Sequence, residues 1–241
     1  VAGLISTVLY FLHARTTAEP LLEPGLFRNQ VFRASIIGGS LFRIGVGAVP
    51  FLLPLMFQIG FGMTPFQSGP ITFVSALGAM SMKLVTKWFY AKTGFRNSLM
   101  YGSVVAAGFI AVNGLFTPAT PYWLMIVLLL AGGFFRSLFF TGTNALAYAG
   151  IPNEQTSQAT PISSVAQQIS IALGVAVAGG ILEVSTKLHG GPLQLSDFHI
   201  AFFIVAAVSS LACLSFRGLR ADAGAEVSGH RPLIKAASPG E

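Results

Sequence analysis

Two arginines lie within long apolar stretches of this 241-residue chain. Arg136 is the only charged residue from Tyr122 to Tyr148, and Arg43 is the only one from Ser35 to Gln58. Each stretch is long enough to cross a bilayer, which takes roughly 20 residues at about 1.5 Å each. Because a guanidinium is costly in hydrocarbon unless it faces a polar interior, both arginines are candidates for a functional role, the alternative being a structural ion pair.

Polar residues recur along the fifth predicted membrane span. Spacings of three and four residues place them on one helix face, which carries Thr160, Ser163, Gln167, Ser170 and Gly174. Since hydrocarbon cannot satisfy polar groups, this face must meet other helices or a water-filled path. Helix packing and pathway lining both stay open as interpretations. In the second, Gln167 is the most useful hydrogen-bonding member, and its neighbour Gln168 is the substitute.

The first and fourth spans carry further candidates for a pathway lining. Pro50 and Pro54 remove two backbone donors from the first span and favour a kink. Bent helices are common where transporters bind or gate. In the fourth span, Thr143 shares a face with Arg136, and Asn144 lies on the neighbouring face.

The carboxylates lie away from the middle of the spans. Glu183 falls at the outer end of the fifth span, and Asp197 with His199 opens the sixth. A proton-coupled carrier normally titrates a buried carboxylate or histidine. That group lies either beyond this chain or among these three residues, and we favour the first because charges at span ends are usually interfacial anchors.

Composition places the chain among polytopic membrane proteins. Only 9% of its residues are charged and 53% are hydrophobic, the mean hydropathy is +0.72, and a soluble domain has about a quarter of its residues charged. The net charge of +6 does not indicate nucleic-acid binding, because most basic residues gather at span ends. The single Cys213 excludes an intrachain disulfide. No metal-ligand spacing, phosphate loop or catalytic constellation is present, so we expect no cofactor and no enzyme.

The hydropathy pattern predicts six complete spans after one partial span. The six cover about 35–59, 66–89, 98–116, 122–148, 161–182 and 198–216. Residues 1–14 are predicted to end a preceding span, 15–34 to form a cytoplasmic linker, 35–219 to form the bundle, and 220–241 to be a disordered cytoplasmic tail. The chain opens inside an apolar run without Met, so we expect the carboxyl-terminal part of a longer protein.

Basic residues alternate between links and predict the orientation. The links near Gly60 and Pro118 carry no Lys or Arg, and the link between the fifth and sixth spans carries only Lys187. The other links and flanks carry Arg15, Arg28, Arg33, Lys83, Lys87, Lys92, Arg96, Arg217 and Arg220. By the positive-inside rule the basic side is cytoplasmic. The expected location is a bacterial inner membrane with a cytoplasmic carboxyl terminus.

Several segments resemble one branch of a known transporter family. Three segments resemble a linker and ninth span: Pro20–Leu22, Leu26–Asn29 and Phe42–Gly45. Two others resemble a twelfth and a thirteenth span: Gly132–Ser137 and Ser164–Gln168. A degenerate cytoplasmic loop motif is resembled by Gly78, Lys83, Gly94 and Arg96. Together they resemble the carboxyl-terminal half of the fourteen-span drug:proton antiporter branch (EmrB/QacA type) of the major facilitator superfamily. The resemblance covers about Pro20 to Phe216.

The resemblance implies an all-α fold, with two six-helix bundles rocking around a central cavity, of which this chain supplies one. It also implies proton-coupled efflux of toxic compounds, with the lipid bilayer, a small-molecule substrate, protons and a periplasmic adaptor as partners. Two features depart from it: the amino-terminal bundle is absent, and Pro161 follows Thr160 where an ordinary helix former is expected. The alternatives are an organic-anion or metabolite carrier, since both deep charges are cationic, and an inactive structural membrane fragment.

Overall fold

Six long helices form the molecule. The computed structural model describes residues 24–149, 151–220 and 222–228, and each predicted complete span coincides with a helix. The helices are α1 (Gln30–Leu55), α2 (Pro65–Thr93), α3 (Phe95–Asn113), α4 (Tyr122–Tyr148), α5 (Asn153–His189) and α6 (Leu195–Ser210), followed by the short α7 (Ala212–Arg217) and α8 (Ala225–Ser228). A 3₁₀ helix, Pro24–Arg28, precedes α1. The predicted partial span 1–14, the linker up to residue 23 and the tail from residue 229 lie outside the described residues.

Five helical segments in the described part of the chain are long and apolar enough to cross a membrane. They are Gln30–Gly60, Phe95–Asn113, Tyr122–Tyr148, Gln155–His189 and Leu195–Arg217. The prediction of an all-α membrane protein is confirmed. The predicted second span forms the 29-residue helix α2 but is not among the five, because Lys83, Lys87 and several hydroxyl residues lower its hydropathy.

The link between α2 and α3 is much shorter than the sequence predicts. The helices are separated by Gly94 alone, which has a φ of 71° and donates its N–H to the Tyr90 carbonyl at 2.9 Å. The left-handed region favours glycine, so this residue both ends α2 and starts α3. The Ser98 hydroxyl donates to the Gly94 carbonyl at 2.6 Å.

A further boundary differs from the sequence prediction. The fifth span is predicted from about Pro161, whereas α5 begins at Asn153 and contains this proline. Hydropathy marks where hydrocarbon begins, whereas a helix continues for as long as its backbone bonds persist. Within the predicted tail, Gly224 packs beside Phe95 and Leu146, and Ala225–Ser228 form α8.

The four helices α2, α4, α1 and α5 lie side by side in that order, and α3 and α6 pack behind them. Two large hydrophobic clusters lie in the described part of the bundle, one towards each end, and a smaller third cluster includes Phe32 and Ile162. The first includes Phe57, Phe116, Phe198 and Phe202. The second includes Phe42, Tyr90, Phe95, Phe139 and Phe216. The arrangement leaves one broad face of the α2–α4–α1–α5 layer without a covering helix among the described residues.

Reciprocal glycines bring α1 and α5 into close contact. A Cβ atom on Gly47 of α1 would overlap the backbone carbonyl of Ile171, and one on Gly174 of α5 would overlap that of Ile44. Small residues at helix crossings let backbones approach closely, which is a main source of packing in membranes. Gly174 of the predicted polar stripe is therefore a packing residue.

The contact between α2 and α4 is built in the same way. A Cβ atom on Gly78 would overlap the Leu130 carbonyl, and one on Gly133 would overlap the Ser75 carbonyl. Gly78, which the resemblance assigns to a cytoplasmic loop motif, lies inside α2 and packs against α4. The two crossings set the packing of α1 on α5 and of α2 on α4 in the α2–α4–α1–α5 layer, which we call the front layer.

We expect Gly174→Ala to destabilise the bundle, because the added Cβ forces α5 away from α1. Overpacking of this kind costs about 1–3 kcal/mol. Gly179→Ala on the same helix is the matched control, since a Cβ there meets nothing within 4 Å and alanine has the higher helix propensity. Thermal unfolding in detergent checks both variants, and equal midpoints for the two would contradict the crossing.

Candidate functional site

Arg43 is buried in α1 and belongs to a polar cluster. Its side chain is 4% exposed, and Nη2 donates to Asn144 Oδ1 at 2.7 Å. The guanidinium carbon lies 4.8 Å from the centre of the Phe140 ring, a favourable cation–π distance. Its Nε has no partner among the described residues. Gly39, one turn earlier, provides the space for the guanidinium, since a Cβ there would contact Nη1.

Asn144 joins three helices through one oxygen atom. Its Oδ1, on α4, accepts from Arg43 of α1 and also from Gln167 Nε2 of α5 at 3.4 Å. The structure therefore brings together three residues that the sequence singled out separately. Asn144 is neutral, so the bonds satisfy donors of Arg43 without compensating its charge.

Arg136 has a weaker set of contacts. Its Nη2 lies 3.5 Å from the Ser75 hydroxyl of α2, a distance at the limit of a hydrogen bond. The same hydroxyl donates to the Thr72 carbonyl at 3.0 Å. Within residues 24–149, 151–220 and 222–228, no carboxylate pairs with Arg136 or Arg43. Both arginines thus carry charges that this part of the protein leaves uncompensated.

A groove of about 310 Å³ lies beside Arg136 between α1, α2 and α4. We call it the arginine groove; its walls include Pro50, Pro54, Thr72, Ser75 and Arg136. Since proline has no N–H, the carbonyls one turn before Pro50 and Pro54 lack their usual helical donor. The groove therefore combines a cation with hydroxyl groups and polar backbone. Both prolines lie inside a continuous α1, which passes into a π-helical turn at Met56–Gly60.

Three predicted site residues lie outside both groups. Thr143 is buried and donates to the Phe139 and Phe140 carbonyls of its own helix at 2.9 and 3.1 Å. Ser163 is buried, and its hydroxyl has no partner in the described residues. Gln168 is exposed on α5.

The predicted loop-motif residues lie at the opposite end of the bundle from the Gly60 link. Lys83 is exposed on α2, and Arg96 Nη2 donates to the Arg217 carbonyl at 3.2 Å. Arg96 thus ties the start of α3 to the end of α7. Neither side chain belongs to the cluster around Asn144 or to the arginine groove.

The outer acids fasten helix ends. Asp197 is 1% exposed and accepts from Ser185 Oγ at 2.5 Å and from the Gln194 N–H at 2.8 Å, with His189 Nε2 at 3.2 Å. An acid in the first turn of a helix caps its free N–H groups, which accounts for the burial of a residue expected to be interfacial. Glu183 is exposed and pairs with Lys187 at 2.6 Å.

Sequence reasoning missed two contributors, Ser75 and Phe140. A signal was available for Phe140, because Arg136, Phe140 and Asn144 recur at a spacing of four along α4, which places Phe140 between the two polar residues. Arg136 and Asn144 are about 12 Å apart along the helix axis, at about 1.5 Å per residue. Ser75 carried no comparable signal, because only the packing of α2 on α4 brings it to Arg136.

Long apolar helices that enclose two arginines without a carboxylate partner in the described residues define a polytopic membrane protein with a polar interior. The family described as the Major Facilitator Superfamily matches residues 35–239. The chain therefore belongs to this superfamily.

Curated relatives agree with that assignment. The chain is 31% identical over 229 residues to "Putative multidrug resistance protein MdtD" of Klebsiella pneumoniae strain 342, covering 92% of this chain and 48% of the relative. It is 32% identical over 187 residues to the protein of the same name from Pectobacterium atrosepticum, covering 78% and 40%. The Yersinia enterocolitica protein of that name is 29% identical over 245 residues, covering 99% and 51%. The chain spans about half the length of the curated relatives it matches.

We expect Asn144→Leu to destabilise the bundle, because it removes the acceptor of a buried guanidinium. Hydrogen bonds to charged groups contribute about 1.5–3 kcal/mol. The double variant Arg43→Leu/Asn144→Leu then loses less stability than the sum of the single variants, since no unpaired charge remains. Thermal unfolding of the four proteins in detergent measures this coupling, and strictly additive losses would show that the two side chains act independently.

Proposed function

We propose that this chain is the carboxyl-terminal bundle of a proton-coupled multidrug exporter of the fourteen-span branch. The observation that carries the proposal is that Arg43 and Arg136 have no carboxylate partner among the described residues. Both lie on helices of the α2–α4–α1–α5 layer, one face of which has no covering helix in the described part of the chain. The half-length coverage and the printed names of the relatives support it. In this proposal an amino-terminal bundle covers that face and encloses a cavity.

Arg136 is the main contact residue of the proposed cavity. Its single long hydrogen bond leaves donors free to face the arginine groove. Because arginine stays protonated at physiological pH, it does not carry the transported proton. It holds either an anionic group of the substrate or an acid of the amino-terminal bundle. In the second case, protonation of that acid breaks the pair and couples proton entry to the movement of the bundles.

The Arg43–Asn144–Gln167 cluster links the helices that must move together. It joins α1, α4 and α5 through one acceptor atom, Asn144 Oδ1, which accepts from both Arg43 and Gln167. A ligand that binds one of these donors therefore also changes the bond that the other donor makes with Asn144. The long bond from Gln167 is the weaker of the two and is the first to be exchanged. We infer that Gln167 contributes to substrate contact, while Ser163, Ser170 and Gly174 of the same stripe serve packing.

An organic-anion carrier of the same superfamily is the second candidate. The neutral partners of both arginines favour it, since an anionic substrate would supply the missing charge. A mid-membrane acid in the upstream reading frame would favour the exporter, and the absence of any such acid would favour the anion carrier. In both cases we place the protein in a bacterial inner membrane with its carboxyl terminus in the cytosol, and a periplasmic adaptor is a partner of the exporter alone.

We expect Arg136→Ala to abolish transport in the full-length protein while membrane insertion is normal or improved, because an expensive charge is removed. Arg136→Lys restores activity only in part, since lysine lacks the planar fork that binds an anion through two bonds. Efflux, or growth under toxic load, is measured per molecule of membrane protein. Wild-type activity per molecule in Arg136→Ala would leave Arg136 a structural residue.

We expect Gln167→Ala to change the substrate profile or the rate more than the amount of protein. Hydrogen bonds between membrane helices contribute only about 0.6–2 kcal/mol, so folding survives the loss of one. Gln168→Ala is the matched control, because this neighbour is exposed and lies outside the cluster. Efflux assays with several substrates check the pair, and equal profiles for the two variants would assign Gln167 to packing.

A further inference from the structure

A second groove lies on a different side of α4. We call it the lateral groove; it has a volume of about 200 Å³ and is bounded by α2, α3 and α4, with Phe89, Thr93, Tyr101, Gly102, Phe135 and Leu138 among its walls. Phe135 and Arg136 are adjacent on α4 and therefore point about 100° apart. The lateral groove thus lies away from the arginine groove and belongs to neither proposed transport contact.

The walls of the lateral groove are almost entirely apolar. The Thr93 hydroxyl donates to the Phe89 carbonyl at 2.7 Å, and the Ser98 hydroxyl donates to the Gly94 carbonyl at 2.6 Å. These wall hydroxyls are therefore occupied and add little polarity. The volume is below the roughly 300 Å³ of the smallest drug-sized sites. An alkyl chain fits these dimensions and this chemistry.

Residues typical of a membrane interface lie in or next to the wall of the lateral groove: Tyr101 lines it, and Trp88 directly precedes the lining residue Phe89. Trp88 and Tyr101 are 65% and 64% exposed, and aromatic residues with a polar edge concentrate at the headgroup level of a bilayer. Lys92 lies in the last turn of α2 beside Thr93, and its Nζ is 5.2 Å from the centre of the Trp88 ring. The stacking holds an exposed cation next to the groove at this level.

We propose that the lateral groove binds an anionic phospholipid, with one acyl chain between α2, α3 and α4 and the phosphate beside Lys92. The charge supports this occupant over a zwitterionic lipid. Lys92 is exposed in the last turn of α2, and a lysine near a membrane surface favours an anionic lipid about fivefold. Arg96 is engaged with the Arg217 carbonyl, which leaves Lys92 as the principal headgroup contact.

Gly102 gives a direct way to block the chain-binding part of the site. It lies in the wall of the lateral groove, and a Cβ built on it meets nothing within 4 Å. The side chain of Gly102→Leu therefore enters the groove without displacing a helix. Gly108→Leu is the matched control, since it is on the same helix, is equally unobstructed and does not line the groove.

The test is a titration of the full-length protein with dioleoyl phosphatidylglycerol or dioleoyl phosphatidylcholine, followed by native mass spectrometry. We expect a preference of about fivefold or more for the anionic lipid at one tight site. Lys92→Gln removes most of this preference, and Lys83→Gln, about 13 Å further along α2, retains it. Gly102→Leu removes the tight site for both lipids, and Gly108→Leu retains it. Equal binding of the two lipids by the wild-type protein, or an intact tight site in Gly102→Leu, overturns the proposal.

Discussion

Hydrocarbon does not solvate polar groups, and the rest of this structure depends on that constraint. Helices satisfy their own backbone, but a guanidinium needs partners that other helices must provide. Arg43 obtains Asn144 and the Phe140 ring, both from α4. Arg136 obtains one weak contact from Ser75. Arg43 is thus held by contacts within the bundle, whereas Arg136 keeps guanidinium donors available for a further partner.

Close crossings make those contacts possible. Gly47 and Gly174 bring α1 against α5, and Gly78 and Gly133 bring α2 against α4. At the α2–α4 crossing, the short Ser75 side chain comes within 3.5 Å of Arg136 Nη2. The glycines therefore act on function indirectly, because the polar groups meet only when the backbones are this close. The polar stripe on α5 serves both needs, with Gly174 at the crossing and Gln167 at the cluster.

Different sides of α4 contribute to different proposed sites. Arg136 lines the arginine groove, Asn144 bonds to Arg43 and Gln167, and Phe135 and Leu138 line the lateral groove. A single helix thus connects the proposed substrate path with the proposed lipid site. Arg136 is the only charged residue of this helix, from Tyr122 to Tyr148.

The sequence by itself determined the membrane class, the six helices and most polar candidates, because hydropathy and helical spacing are properties of neighbouring residues. Arg43, Asn144 and Gln167 were all found in this way, but their meeting at one oxygen atom was decided by tertiary structure. So were the contact of Ser75 with Arg136, the burial of Asp197 and the packing of Gly78 against α4. Spacing along a chain fixes which face of a helix a residue occupies. It does not fix the angle, depth and neighbour at which that face packs, since these depend on residues distant in the chain.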